Sequence, residues 1–289
     1  MIPLQLHQNI NLFLLLIVGS FVSHIYLGWV EIVAILIFTI VTEHIFLYLN
    51  RDREFYLSYS SLSTAIGVIV LIYSPHLWIY FVVIALGLFQ KHFITSHNHH
   101  FFNPSNFALI MALLFFYEDA HIISGQFGDE RWFSLLVSSL ALVILIRVNR
   151  WIIPIAFTVS YLLLQYLLIV EYDPVLLFED VYHRLYSVTF VLFIYFMLTD
   201  PPVTPSKWYQ QIAFAFLVAL FSTLLDRFYG FRVQHLFMAV LFFSIFINLL
   251  RADREFIALL KLTAIILSFV MATLTYIEMQ SPYYFEMEG

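Results

Sequence analysis

The chain has no cysteine and little charge: 13 Lys and Arg stand against 19 Asp and Glu in 289 residues. The missing cysteine excludes disulfides, a thiolate nucleophile, c-type haem attachment and a cysteine-ligated iron–sulfur cluster. Only 11% of residues are charged, against about 25% in soluble domains, which excludes a soluble catalytic domain such as a dinucleotide-binding fold. A net charge of −6 with no basic patch excludes nucleic acid as a partner. What is present is apolar: 62% of residues are hydrophobic and 19% aromatic, with a mean hydropathy of +0.91. The chain therefore reads as an all-α polytopic membrane protein surrounded by the lipid bilayer. At about 20 residues per spanning helix, its length holds about ten to twelve spans joined by short loops. The start has no basic stretch before the first apolar run, so it reads as a retained helix and not a signal peptide.

Apolar runs predict helices at 10–28, 29–49, 61–73, 76–93, 104–117, 132–148, 151–170, 185–199, 208–225, 233–250 and 256–277. The third, at 61–73, covers about 20 Å of helix, too short to cross a core of about 30 Å alone. With alternating sides, one face collects Arg51, Arg53, Lys91, Arg147, Arg150, Lys207, Arg251, Arg254 and Lys261. The other holds only Arg131, Arg184, Arg227 and Arg232, together with several acidic loops. By the positive-inside rule the N-terminus is expected in the cytoplasm and the acidic C-terminus outside, in the plasma (inner) membrane of a bacterium.

The spans fall into two similar sets. Each begins with two long segments, continues with a short Ser- and Thr-bearing one that ends at proline, adds a full span, and closes on a helix that opens His-rich. The short segments are SLSTAIGVIVLIYSP and LYSVTFVLFIYFMLTDPP. The expected architecture is a single transmembrane domain over 1–289, with one repeat at about 10–117 and another at about 132–250. One extra helix follows at 256–277. Five spans per half is odd, so the repeats face opposite ways, an arrangement whose short or broken helices commonly line a central site.

Two segments concentrate the polar residues, QKHFITSHNHHFFNPSNF at 90–107 and MLTDPPVTPSKW at 197–208. Proline breaks the helical hydrogen-bond ladder in each. Irregular polar backbone at membrane depth is tolerated only around protein or a polar cavity. The residues expected to line such a site are Ser61, Ser63, Thr64, Asn103, Pro104, Asn106, Thr199, Asp200, Pro201 and Thr204. For any one of them, helix capping at a loop is the simpler role.

FFNPSNFALI resembles the FNPA-type segment of the RnfD protein of Rnf electron-transport complexes and of the NqrB protein of the sodium-pumping NADH:quinone reductase. FMLTDPPVTP resembles their ATDPVTSP-type segment, YSSLSTAIGVIVLI their short third helix, and RVNRWIIPIAF their entry to the seventh. The resemblance runs in order from about Glu43 to Leu250. It implies a ten-helix inverted repeat and a role in transmembrane electron transfer through flavins, coupled in full complexes to ion movement. Those proteins attach FMN through a threonine in an S-G-A-T-type motif. Here YEDAHIISGQFGDERW has no threonine, so covalent FMN is not expected. The SGQFG string resembles a divergent, UnbU-like branch associated with enediyne clusters. The resemblance then implies a noncovalent flavin, FMN or riboflavin, with electrons exchanged through redox partner proteins or sister membrane subunits.

Eleven histidines are many for so apolar a chain. His92, His97, His99 and His100 are candidate metal or haem ligands, although their spacing fits no standard zinc pattern. His24 and His44 are a second candidate haem pair on the first two spans. Glu43, with His44 beside it, is a candidate proton or ion pathway, because an intramembrane acid costs about 2.5–3.5 kcal/mol on insertion scales. Pairing with Arg51 or Arg53 is its plain alternative, and Asp226 with Arg227 reads as a boundary ion pair. The favoured function is a membrane electron-transfer component of the RnfD type. A secondary transporter without a redox centre and a haem-dependent membrane oxidoreductase using the 92–100 histidines are the alternatives.

Overall fold

The computed structural model describes residues 4–22, 25–50, 58–96, 99–123, 131–171 and 177–251. The first five helices are α1 (Leu4–Val22), α2 (Trp29–Asn50), α3 (Ser60–Leu71), α4 (Leu77–Phe93) and α5 (Pro104–Phe115). The next are α6 (Arg131–Arg147), α7 (Ile152–Gln165) and α8 (Phe178–Arg184). Last come α9 (Val188–Leu192), α10 (Trp208–Tyr229) and α11 (Gln234–Arg251). Helix α7 runs on into a π-helical turn, Tyr166–Val170, and α9 into another, Phe193–Met197. The helices follow the apolar runs, with two differences. The first begins at Leu4, because LQLHQ continues the helix ahead of the apolar run. The 185–199 run is shortened and preceded by α8, a seven-residue helix whose first turn carries Glu179 and Asp180. The expected helix at 256–277 lies outside the described residues.

Local chemistry sets several ends. Asn103 caps α5 by accepting from the Asn106 N–H at 3.0 Å, with Pro104 at the first helical position. Ser187 caps α9 through the Phe190 N–H at 3.2 Å. Gly230 ends α10 at φ 84° and ψ 163°, a conformation essentially confined to glycine. Gly87 lets α4 pass close over the start of α5, since a Cβ there would stand 2.6 Å from the Pro104 carbonyl oxygen.

Neighbour relations repeat between the halves. Helix α2 packs on α4, α4 on α5 and α1 on α3; correspondingly α7 packs on α10, α10 on α11 and α6 on α9. Across the halves α1 meets α6, α3 meets α9 and α5 meets α11. Each cross-contact thus joins corresponding helices, as a two-fold relation between the repeats requires.

Side-chain bonds distinguish the two ends of the bundle. The basic-rich end is tied by Asn9 to the Tyr59 carbonyl, Asn50 to the His92 carbonyl and Gln211 to the Asn149 carbonyl. At the opposite end Ile72–Tyr73 (β1) pairs antiparallel with His121–Ile122 (β4), and Thr189 donates to the Ile123 carbonyl. Short strands Thr95–Ser96 (β2) and His99–His100 (β3) make a hairpin before α5.

Trp29–Asn50, Ile152–Val170 and Trp208–Tyr229 are the helices long and apolar enough to cross a membrane among the described residues. Six further apolar stretches of helix, among them Ser60–Leu71, Leu77–Phe93 and Pro104–Phe115, accompany them. Rows of exposed side chains such as Val30, Ile37 and Val41 on α2 mark a lipid-facing surface.

Candidate functional site

The two proline motifs meet. Asn103 at the head of α5 donates through Nδ2 to Asp200 Oδ2 at 2.9 Å, joining the first repeat to the second. His100 Nε2 lies 3.0 Å from the same oxygen. Around them is a cavity of about 250 Å³. Of the residues expected to line a site, Ser63, Thr64, Asn103, Pro104, Thr199, Asp200 and Pro201 lie on this cavity. A small extension of about 30 Å³ runs between Gly67, Leu192 and Met197.

Three expected residues face elsewhere. Asn106 Nδ2 donates to the Phe237 carbonyl at 3.1 Å, holding α5 against α11. Thr204 accepts from Arg150 Nε at 3.0 Å and donates to the Asp200 carbonyl at 2.9 Å, bracing the turn that carries Asp200. Ser61 is fully buried, and among the described residues its hydroxyl has no hydrogen-bond partner. A helix turns 100° per residue, so adjacent positions such as Ser61 and Ser63 cannot all face one space.

The cavity also takes residues that motif reading missed, among them Gln8 and Asn9 of α1 and Lys91 of α4. Tyr195 and Phe196 add aromatic wall from the π turn after α9, a geometry frequent at functional sites. Lys91 enters the sequence reading only as a cation of the basic face within the 90–107 segment, and Gln8 and Asn9 lie just ahead of the apolar run expected as the first span.

Lys91 connects the cavity to Glu43. Its Nζ is 2.6 Å from Glu43 Oε1 and donates to Ser60 Oγ at 2.6 Å. Glu43 Oε1 also accepts from Ser58 and Ser60, and Oε2 bonds His92 Nε2 at 2.8 Å. The expected alternative of Arg51 or Arg53 falls on residues outside the described set; among the described residues α4 supplies a counter-ion, Lys91. His44 is occupied by the Ile40 carbonyl and the Ser58 N–H; its proposed partner His24 lies outside the described residues.

The histidine candidates do not converge. His92 is on Glu43, His100 is on Asp200, His99 is exposed and His97 lies outside the described residues. Among the described residues no group of three or more His, Cys, Asp or Glu is placed to hold a metal ion.

A second buried acid stands at the opposite end, and the expected Asp226–Arg227 pair is not what forms. Asp226 Oδ1 bonds His235 Nδ1 at 2.7 Å and the Arg232 N–H at 3.1 Å. Its Oδ2 accepts from Gln165 at 2.6 Å and faces Arg184 at 3.5 Å. Arg184 also donates to the Tyr161 hydroxyl and lies over the Phe231 ring. Arg227 points away, to the Leu168 carbonyl, because consecutive residues leave a helix in different directions.

Residues 114–254 match the model of the NQR2, RnfD, RnfE family. The match covers just under half of the chain, and over that segment the chain is similar to this family. The match supports a membrane protein similar to the Rnf/Nqr type of electron-transport subunit. The matched segment spans all of the second repeat, including the Asp200 motif, and begins within the last turn of the first. No curated protein matches the chain.

The isoalloxazine ring of a flavin presents an imide edge, with an N–H between two carbonyls. The cavity has groups suited to that edge. Asp200 Oδ1 has no partner among the described residues, Lys91 has one N–H left after Glu43 and Ser60, and Thr64 and Ser105 offer hydroxyls. Sites that enclose a drug-sized ligand run from about 300 to 1,000 Å³. A cavity of about 250 Å³ therefore matches the ring system better than a whole mononucleotide.

Proposed function

We propose that this protein is an electron-transfer subunit that holds a flavin noncovalently in the cavity between its two repeats. One observation carries the reading: both proline motifs, 97 residues apart at Asn103 and Asp200, contribute to a single polar cavity. Riboflavin suits the volume better than FMN, and the absence of an acceptor threonine between Tyr117 and Trp132 argues against a phosphoester link. A bound flavin would supply one- and two-electron chemistry, its potential tuned by hydrogen bonds to the ring. The chain's residues would bind its imide edge through Asp200 and Lys91, while Tyr195 and Phe196 exclude water.

Glu43, bonded to Lys91 and His92, is the group we assign to proton or ion movement at this end. Electrons come from and pass to sister subunits or other redox proteins. The SGQFG string supports placement in the UnbU-like branch, and the basic-residue bias supports a cytoplasmic N-terminus in a bacterial inner membrane.

Purification in mild detergent followed by a visible spectrum tests the proposal. We expect flavin absorbance and free flavin released on denaturation. A colourless protein that takes up no added riboflavin, yet is thermally stabilised by a small solute, would replace this reading with transport. A Soret band lost on substituting His97 and His99 would replace it with haem chemistry.

A further inference from the structure

His100 is tied to the cavity's only carboxylate among the described lining residues. It sits on β3, lines the cavity, and bonds Asp200 across the repeats, with the two side chains 17% and 16% exposed. An imidazole nitrogen facing a carboxylate bonds it only as a donor, so Nε2 carries hydrogen whether the ring is neutral or protonated. Both states therefore hold Asp200 Oδ2, and both leave Oδ1 available to the cavity. They differ in charge.

The charged and titratable groups around His100 come from several elements. Lys91 on α4 lines the cavity and lies within electrostatic range of Asp200, and Glu43 on α2 stands behind it with His92. Arg150 before α7 is bonded to Thr204, beneath the Asp200 turn. Tyr195 is on the wall and His99 is adjacent on the hairpin. Lys91 is paired with Glu43, while Arg150 donates to Thr204. Protonation adds one positive charge on the imidazole against Asp200 Oδ2, the other oxygen of the ligand-facing carboxylate.

We propose that His100 is the positioning residue of this cavity, and that its protonation state sets how strongly Asp200 accepts an imide N–H from the ligand. The inference rests on the flavin reading and adds a regulation to it. A carboxylate is a stronger acceptor than a neutral group by roughly twofold in bond energy, and an imidazolium on its other oxygen withdraws part of that advantage. Oxidised riboflavin, neutral and carrying the imide N–H, then binds more tightly where His100 is neutral.

The probe is riboflavin, and its dissociation constant is read by fluorescence quenching on the full chain in detergent from about pH 5.5 to 8.5, spanning the histidine range. Wild type is expected to bind about fivefold or more tightly at the alkaline end, the lower bound of ordinary site-to-site coupling. His100→Gln keeps an N–H donor to Asp200 and does not titrate. It should match wild type within about twofold at the alkaline end and show a flat profile. His100→Ala loses the donor and should bind weakly at every pH, and its failure to fold would be separated by the Gln variant. A flat wild-type profile, or a Gln variant that retains the wild-type slope, overturns the role of His100 and leaves the flavin reading standing. Wild type that binds no riboflavin at any pH overturns both.

Discussion

Glu43 and Asp226 are the two most deeply placed acids among the described residues; each joins a corresponding pair of helices, α2 with α4 and α7 with α10, and they do opposite things. In the first repeat α2 provides the acid, Glu43, and α4 the bases, Lys91 and His92. In the second, α7 provides Gln165, 122 residues after Glu43, and α10 provides the acid, Asp226. Asp226 is saturated. Both of its oxygens are shared among Gln165, Arg184, Arg232 and His235, and its side chain is 0% exposed. The Glu43 cluster ends in Lys91, whose ammonium opens onto the cavity. The same polar residue types therefore make a closed tie at one end of the bundle and an open wall at the other. The difference lies in the cation: Arg184 has Tyr161 and Phe231 to occupy its guanidinium, whereas Lys91 keeps a donor free.

The largest effect should come from breaking the closed tie. Asp226→Ala removes the carboxylate shared by buried Arg184 and His235. It should cost about 3–5 kcal/mol, read from unfolding in detergent; a loss under about 1 kcal/mol would show that Asp226 is no keystone. Glu43→Gln should cost less, about 1–3 kcal/mol, because Lys91 can turn to solvent or ligand in the cavity. Equal losses for the two acids would erase the contrast between closed and open clusters. Gly230→Ala tests the turn that brings the Arg232 N–H onto Asp226. No atom lies within 4 Å of the new Cβ, so the cost of about 1–3 kcal/mol is backbone strain alone. Stability unchanged by that substitution would mean that the turn relaxes freely. Smallest of all, Asn103→Ser keeps a cap on α5 while removing the bond to Asp200. Its stability should fall by less than about 1 kcal/mol, yet its riboflavin binding should weaken measurably, and unchanged binding would remove Asn103 from the site.

Most helices are legible in the sequence because apolar length and proline interruptions are local properties. The 61–73 run reads as short from its hydropathy alone, and α3 is indeed Ser60–Leu71. The rhythm of two sets of five is also in the sequence, and the paired contacts α1–α6, α3–α9 and α5–α11 give it a spatial form. Motif reading places Asn103 and Asp200 in one neighbourhood, since each sits where proline frees polar backbone. It does not separate Ser63 from Ser61, or Thr199 from Thr204. Which hydroxyl turns toward a cavity depends on helix rotation, and that is fixed by packing. Lys91, Gln8 and Asn9 escape it for a related reason: a polar residue at a helix end looks like interface until another helix closes over it.

The sequence by itself determined a membrane-embedded, all-helical, repeated chain without thiol chemistry, and it determined where the helices break. Those properties follow from composition and from proline, which act on nearest neighbours. Only the tertiary structure decided that Glu43 takes its counter-ion from α4, that Asp226 turns from Arg227 to Arg184 and His235, and that His100 reaches Asp200. Buried charges must find partners wherever the fold brings them, and the distances that select those partners exist only once the two repeats have packed.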